Sequence, residues 1–220
     1  IGGYLIWNLY PRNKVFIDGR KTFYRTEFYN RYISFEASPT PRDWRAIEQK
    51  YGIDYVVLSV AQRSVRDAIV YSSPAWRSVF WDSRSMILVK DSPRFSDIIK
   101  RNGYNITEPY TVMNLPPQWE NLSPGARAAA IAELERNISQ SAHSLLALRA
   151  LSYIYYREGD KKRALDCAIR GIAINPRLAS LHALAGQIYL ESGNRGKALS
   201  RFGAAADIDK NYEEVVQRIR

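Results

Sequence analysis

Asp18, Arg20 and Lys21 are the residues in the first half of the chain whose types and spacing best suit ligand chemistry. They end or follow a short apolar run, residues 14–18, and ligands commonly lie at the carboxyl ends of strands in α/β sheets. Two cations beside one carboxylate would attract phosphate or another anion. The alternative is an ordinary turn, because Asp-Gly is a common turn pair. A lone carboxylate predicts no acid–base pair, so we expect no catalytic residue here.

Metal and cofactor chemistry has few candidate residues in this chain. There is one cysteine, Cys167, and there are two histidines, His143 and His182. A single cysteine precludes an internal disulfide and a cysteine-rich zinc site. Both histidines fall on predicted helices, where a packed or surface histidine is the simpler interpretation. We therefore predict no metal site and no cofactor.

Composition and charge indicate a folded protein without a nucleic-acid signature. Hydrophobic residues make up 46% and charged residues 25% of the chain, as in ordinary globular proteins. No apolar run approaches the roughly 18 residues that a membrane span needs. The net charge of +10 is spread over both halves, and no zinc-finger, helix-turn-helix or RNP pattern accompanies it. We therefore expect no nucleic-acid binding.

The first half of the chain alternates strand and helix patterns. Residues 14–18 and 54–59 are short β-rich apolar runs, and residues 42–50 between them have a helical pattern that ends at Gly52. This order is typical of a β–α–β unit with parallel strands.

Two further apolar runs, residues 76–82 and 85–90, predict a hairpin with Ser83 and Arg84 at its turn. With the β–α–β pattern they predict an α/β domain over residues 1–115. We expect a small mixed, partly parallel sheet with flanking helices.

The second half of the chain repeats itself at an offset of about 34 residues. The two copies are residues 145–178 and 179–212. Small residues at equivalent positions would let helix backbones approach closely, and glycine would end a helix because it takes the left-handed conformation easily. The recurring residues are Tyr155, Gly159, Asp160, Ala164, Leu165 and Ile174, which are matched by Tyr189, Gly193, Asn194, Ala198, Leu199 and Ile208.

This pattern resembles the tetratricopeptide repeat. A small residue, Ser152 or Gly186, is followed three residues later by tyrosine and nine residues after that by alanine, and Pro176 closes the first copy. The aromatic residue often found near the start of the first helix is replaced by Leu148 and His182. The resemblance implies paired helices stacked into an array.

The resemblance also implies an all-α domain over residues 116–220. Ser123 and Pro124 suit a helix start, so residues 123–140 are expected to form a degenerate half repeat. Residues 212–220 are expected to form a helix that caps the other end of the array.

Stacked repeats of this family present a groove lined by their first helices, and such grooves bind proteins or peptides. Matching the positions of this sequence to the family pattern places seven residues in the groove. They are Arg149, Tyr153, Tyr156, Arg157, Gln187, Leu190 and Glu191.

A second resemblance concerns residues 2–7, 10–11, 14–20 and 76–89. Together they are similar to the extracytoplasmic region that follows the membrane helices of bacterial multi-spanning polyprenyl-phosphate-sugar glycosyltransferase-like proteins. The resemblance implies a periplasmic or extracytoplasmic location close to a membrane surface. It also implies that transmembrane helices precede Ile1 and tether this piece.

Three functional hypotheses follow. The first is an interaction module that binds a protein or peptide through the repeat groove. The alternative is an acceptor- or donor-binding domain of a membrane glycosyltransferase that uses a lipid-linked sugar. In that case the catalytic residues lie elsewhere in the parent protein. The third hypothesis is a rigid structural cap.

Overall fold

The computed structural model describes residues 25–73 and 75–219. The predicted strand at residues 14–18 and the candidate ligand residues Asp18, Arg20 and Lys21 lie outside the described residues. Within the described ranges, no helix combines the length and the apolar character that a membrane span requires.

The described chain is mostly helical and contains one small sheet. Short 3₁₀ segments occur at Pro93–Phe95, Val112–Asn114, Trp119–Asn121 and Lys210–Tyr212. The other elements, in chain order, are α1 Thr26–Ala37, α2 Pro41–Tyr51, β1 Tyr55–Ser59, α3 Arg63–Ser72, β2 Trp76–Trp81, β3 Ser85–Lys90, α4 Ser96–Asn102, α5 Leu115–Gln118, α6 Pro124–Gln140, α7 Leu145–Arg157, α8 Lys161–Ile174, α9 Ala179–Glu191, α10 Arg195–Ile208 and α11 Glu213–Ile219.

Residue contacts divide the described chain into two compact units. The first unit contains α1, α2 and nearly all of α3. The second contains the sheet and every helix from α4 onward. The domain boundary predicted between residues 115 and 116 stays a prediction, but the contacts do not follow it.

Helix α2 of the first unit confirms the helical pattern predicted for residues 42–50. The Thr40 hydroxyl accepts a hydrogen bond from the Asp43 amide at 3.1 Å, which satisfies one of the free amides at the helix start. Gly52 ends the helix in the left-handed conformation, with φ 59°. The rings of Phe35 and Trp44 lie 6.1 Å apart, and both side chains are buried.

The sheet has the strand order β1-β3-β2. Strands β2 and β3 pair antiparallel across a tight turn, as predicted, with Trp76 opposite Lys90 and Trp81 opposite Met86. Strand β1 pairs with β3, also antiparallel.

The expectation of a partly parallel sheet is not confirmed. Strands β1 and β2 run in the same direction, as a β–α–β connection through α3 requires, but β3 lies between them. Every hydrogen-bonded pair of described strands is therefore antiparallel. The parallel pair expected between residues 14–18 and 54–59 is not tested, because the first of these runs lies outside the described residues.

Helices α7 to α10 form two helical hairpins with the predicted period. The bounds of α7 and α8 recur 34 residues later in α9 and α10: 145 becomes 179, 157 becomes 191, 161 becomes 195 and 174 becomes 208. Gly159 and Gly193 follow the first helix of each hairpin with φ of 80° and 76°, a conformation that glycine takes without steric strain. Ala164 and Ala198 are fully buried, where their small side chains allow the helices to pack closely.

Both ends of this array match their predictions as helices. Helix α6 begins after Ser123, whose hydroxyl accepts from the Ala126 amide at 3.3 Å. At the other end α11 buries Ile219 against Ala198 and Phe202.

The chain one period before α7 is also helical, which the sequence did not predict. There the segment Val112–Asn114, helix α5 and the segment Trp119–Asn121 follow one another, and the first two contact α7.

The β2–β3 turn docks on the loop between α6 and α7, within the second unit. The Ser141 hydroxyl donates to Asp82 at 2.9 Å, and the Ser83 amide donates to the His143 carbonyl at 3.0 Å. The Leu146 amide donates to the Ser83 hydroxyl at 3.0 Å. The hairpin and the repeat helices therefore share one packed unit.

Candidate functional site

The seven residues predicted for the groove lie on the first helices of the two hairpins, α7 and α9. Arg149, Tyr153 and Arg157 are spaced four residues apart on α7, so they share one side of that helix. The hydroxyl of Tyr153 donates to the Ser180 carbonyl of α9 at 3.3 Å. The two helices are therefore direct neighbours on this side. We call the seven residues together the α7–α9 face.

Glu191 is the centre of a polar cluster that joins the two hairpins. Its carboxylate accepts from the Tyr156 hydroxyl and from the Gln187 amide at 2.7 Å, and it pairs with Lys161 at 2.8 Å. The Lys161 ammonium and the two neutral donors hold the pKa of Glu191 at about 2. The hydrogen bond to this carboxylate raises the pKa of Tyr156.

This cluster changes the role of three predicted binding residues. Tyr156, Gln187 and Glu191 contact one another, so they fix α7 against α9 as well as lining the face. Lys161, which completes the cluster, was missed from the sequence. Its partner lies thirty residues further along the chain in the other repeat, and no local spacing indicates such a pair.

Leu190 mainly contributes to packing. It lies against the buried cluster of Ala198, Phe202 and Ile219, so its side chain supports the capping helix α11. A ligand on the α7–α9 face would meet at most the part of Leu190 that this cluster leaves exposed.

Arg149 and Arg157 are the two members of the face whose charges are not matched. Neither guanidinium makes a hydrogen bond or an ion pair with any residue that the structure describes. The Nε of Arg149 is buried without a partner, whereas Arg157 is exposed at the end of α7. An unpaired, desolvated N–H is unfavourable, but this buried atom is not accessible from the surface.

Tyr212 is a further residue beside this face that the sequence did not indicate. Burial raises its pKa, Tyr153 and Asp209 raise it further, and Arg149 lowers it. Tyr212 is therefore under the electrostatic influence of Arg149 and Tyr153 on α7. The residue precedes α11, and its sequence neighbourhood gives no sign of this interaction.

The side chains considered for metal or thiol chemistry have other surroundings. Burial, followed by the charge of Asp166, raises the pKa of the Cys167 thiol to about 11. The Nε2 of His182 lies 2.9 Å from the Pro176 carbonyl, which fits a packed histidine. Among the described residues, no group of three histidine, cysteine or acidic side chains could hold a metal ion.

Two cavities were not indicated by the sequence. One, of about 370 Å³, lies between the end of α6 and α8 and is lined by Ile138, Leu148, Arg170 and Ile174 among others. Arg170 there already pairs with Asp166 at 3.4 Å. The other, of about 380 Å³, lies within the first unit and is lined by α1 and α2. The lining of the second cavity includes both charged and apolar side chains.

Comparison with known proteins gives no assignment. No protein-family model matches the chain, and no curated protein matches its sequence significantly.

Proposed function

We propose that helices α7 to α10 are two tetratricopeptide repeats whose α7–α9 face binds a segment of a protein partner. The observation that carries the proposal is the 34-residue recurrence of helix bounds, 145 to 179 and 161 to 195. Repeats that stack in this way expose one side of each first helix as an extended surface. On that surface Arg157 is exposed and Arg149 lacks a partner among described residues.

The proposed parent is a membrane protein with this piece in the periplasm or another extracytoplasmic compartment. Support for the location comes only from the resemblance of residues 2–92 to such regions. The glycosyltransferase alternative needs a sugar or phosphate site near Asp18, Arg20 and Lys21. None of these residues is described, and no described feature favours that alternative.

Site-specific photo-crosslinking in cells tests the binding surface. A photoreactive amino acid at Arg157 is expected to capture a discrete protein partner, because this side chain is exposed at the end of α7. The same probe at Lys162, an exposed residue on α8, serves as the matched control. The proposal fails if position 157 captures nothing, or if both positions capture the same proteins equally.

A double substitution then tests the contribution of the face. Tyr153→Ala combined with Arg157→Ala is expected to abolish the crosslink from a probe placed at Gln187. Circular dichroism should show the helix content retained, because neither side chain is part of the buried core. Unchanged crosslinking by a folded double variant would contradict the proposal.

A further inference from the structure

We infer that the α7–α9 face takes an extended acidic segment with two carboxylates four residues apart. This inference rests on the proposed function, since it names the chemistry of the segment bound at that site. It begins from the two unmatched guanidinium groups of Arg149 and Arg157.

The spacing of the two cations sets the spacing of the ligand's charges. Arg149 and Arg157 are eight residues apart on α7, which corresponds to about 12 Å at 1.5 Å per residue. An extended peptide advances about 3.3 Å per residue, and its residues i and i+4 lie on the same side. Two acidic residues four apart, separated by about 13 Å, therefore match the separation of the two arginine positions along α7.

Three acidic groups on or beside the face have other partners. Glu191 pairs with Lys161 at 2.8 Å, and Glu158 accepts from the Trp119 indole and lies 3.8 Å from Arg127. Asp209 accepts from the Asn211 amide at 3.0 Å. No described carboxylate forms an ion pair with either arginine.

Tyr153 determines which type of residue is expected at the centre of the bound acidic segment. It lies four residues from each arginine on α7, and its half-buried ring is held by the bond to Ser180. An apolar residue two positions from each acid of the ligand would face this ring. The resulting pattern is acid, any residue, apolar residue, any residue, acid.

Fluorescence anisotropy with short peptides tests this pattern on the 220-residue chain. The probe is a labelled nonapeptide with the central sequence Glu-Ser-Leu-Ser-Glu. A second peptide has glutamine at both acidic positions, and a third has lysine there. The acidic peptide is expected to bind at least about tenfold more tightly than the glutamine peptide, and to weaken between about 50 and 200 mM salt.

Charge reversal identifies the residues involved. Arg157→Glu is expected to weaken the acidic peptide by about tenfold or more and to strengthen the lysine peptide. Arg149→Gln should weaken binding of the acidic peptide and leave binding of the other two peptides unchanged. Glutamine is chosen because it keeps a polar side chain at this half-buried position. Lys162→Glu makes the same charge change as Arg157→Glu on a different helix and should alter binding less than about twofold.

The outcomes separate this inference from the proposed function. If the glutamine or lysine peptide binds as tightly as the acidic one, or if Lys162→Glu acts like Arg157→Glu, the acidic segment is wrong. The crosslink from position 157 would still support partner binding. If no peptide binds and position 157 captures nothing, the proposed function falls together with the inference.

Discussion

Gly186 is a residue whose lack of a side chain is required by packing. A Cβ atom at this position would lie 2.9 Å from the Phe202 ring of α10, which is closer than packed atoms tolerate. Gly203 on α10 differs, since a Cβ there would meet nothing within 4 Å. Two helical glycines with opposite surroundings therefore allow a matched comparison.

Gly186→Ala is expected to destabilise the protein by about 1 to 2 kcal/mol, because the added methyl group must displace the Phe202 ring. Gly203→Ala is expected to stabilise it by about 0.5 to 1 kcal/mol, because alanine favours the helix. Urea denaturation followed by circular dichroism measures both changes. Equal effects of the two substitutions would show that α9 and α10 do not approach each other as described.

Glu191 gives a prediction about pH. Its pKa in the folded protein, about 2, lies below its ordinary value of 4.5. The stabilisation from its ionised form is therefore complete above about pH 4.5 and is lost as the pH falls through about 2. Because the Glu191 side chain is 28% exposed and its charge is screened by solvent, we expect an effect below about 1 kcal/mol.

Carboxyl-carbon NMR titration should place the Glu191 pKa well below that of an isolated glutamate. Urea midpoints measured at pH 5 and at pH 2.5 should fall less in Glu191→Gln than in the parent. Asp207→Asn removes an exposed carboxylate on the neighbouring helix α10. It should leave the drop in the urea midpoint between pH 5 and pH 2.5 as large as in the parent. A Glu191 titration near 4.5 would contradict the cluster with Lys161.

At the scale of elements, α11 closes the hydrophobic surface of the second hairpin. Ile219 is 8% exposed and Phe202 3% exposed, and Val215, Val216 and Leu190 pack around them. Without this helix Phe202 would face water. The short helix α11 therefore stabilises α9 and α10 by covering their apolar side chains.

Ile219→Ala is expected to destabilise the protein by about 2 kcal/mol, because it leaves a cavity beside Ala198 and Phe202. Gln217→Ala on the exposed side of α11 should change stability by less than about 0.5 kcal/mol. Differential scanning calorimetry provides the comparison. An unchanged melting temperature for Ile219→Ala would mean that α11 does not cap the array.

The elements predicted well from sequence are those determined by local patterns. The recurrence of Gly159 as Gly193 and of Ala164 as Ala198 located four helices, and the tight turn after Asp82 located the hairpin. The strand order was not predicted, because the sequence pattern of β1 does not determine which strand it pairs with. The helical segments around Pro116 were missed because Pro116 and Pro117 interrupt the helical spacing.

The sequence predicted which residues lie on the α7–α9 face, but not the contacts that they make. Helical spacing placed Tyr153 and Arg157 on one side of α7, and this required no knowledge of the neighbours. The bond from Lys161 to Glu191 and the electrostatic influence of Arg149 on Tyr212 depend on how the helices pack. Such contacts follow from tertiary packing, so the sequence could not separate the paired charges from the unpaired ones.

At the scale of the second unit, helix α6 connects the sheet to the repeats. Glu133 is buried, and its carboxylate accepts from the amides of Asn105 and Thr107 at 2.8 Å each. Asn137 donates to the Trp81 carbonyl of β2 at 2.6 Å. The bonds to Thr107 and Trp81 satisfy backbone groups that would otherwise be buried unpaired. The sheet and the repeat helices should therefore lose structure together.

Asn137→Ala tests this cooperativity, because it leaves the Trp81 carbonyl without its partner and should cost about 1 to 3 kcal/mol. Hydrogen exchange should show the amides of β3 and of α8 losing protection by the same free energy. Cys167, the only cysteine, is buried with a raised pKa, so its labelling by a thiol reagent reports opening of α8. That labelling rate should rise by the same factor, while Lys100→Ala on α4 leaves all three measurements unchanged.

Faster exchange in β3 with no change at Cys167 would mean that the sheet unfolds independently. The repeats would then be stable without it, and the boundary predicted from sequence would describe folding better than the contacts do.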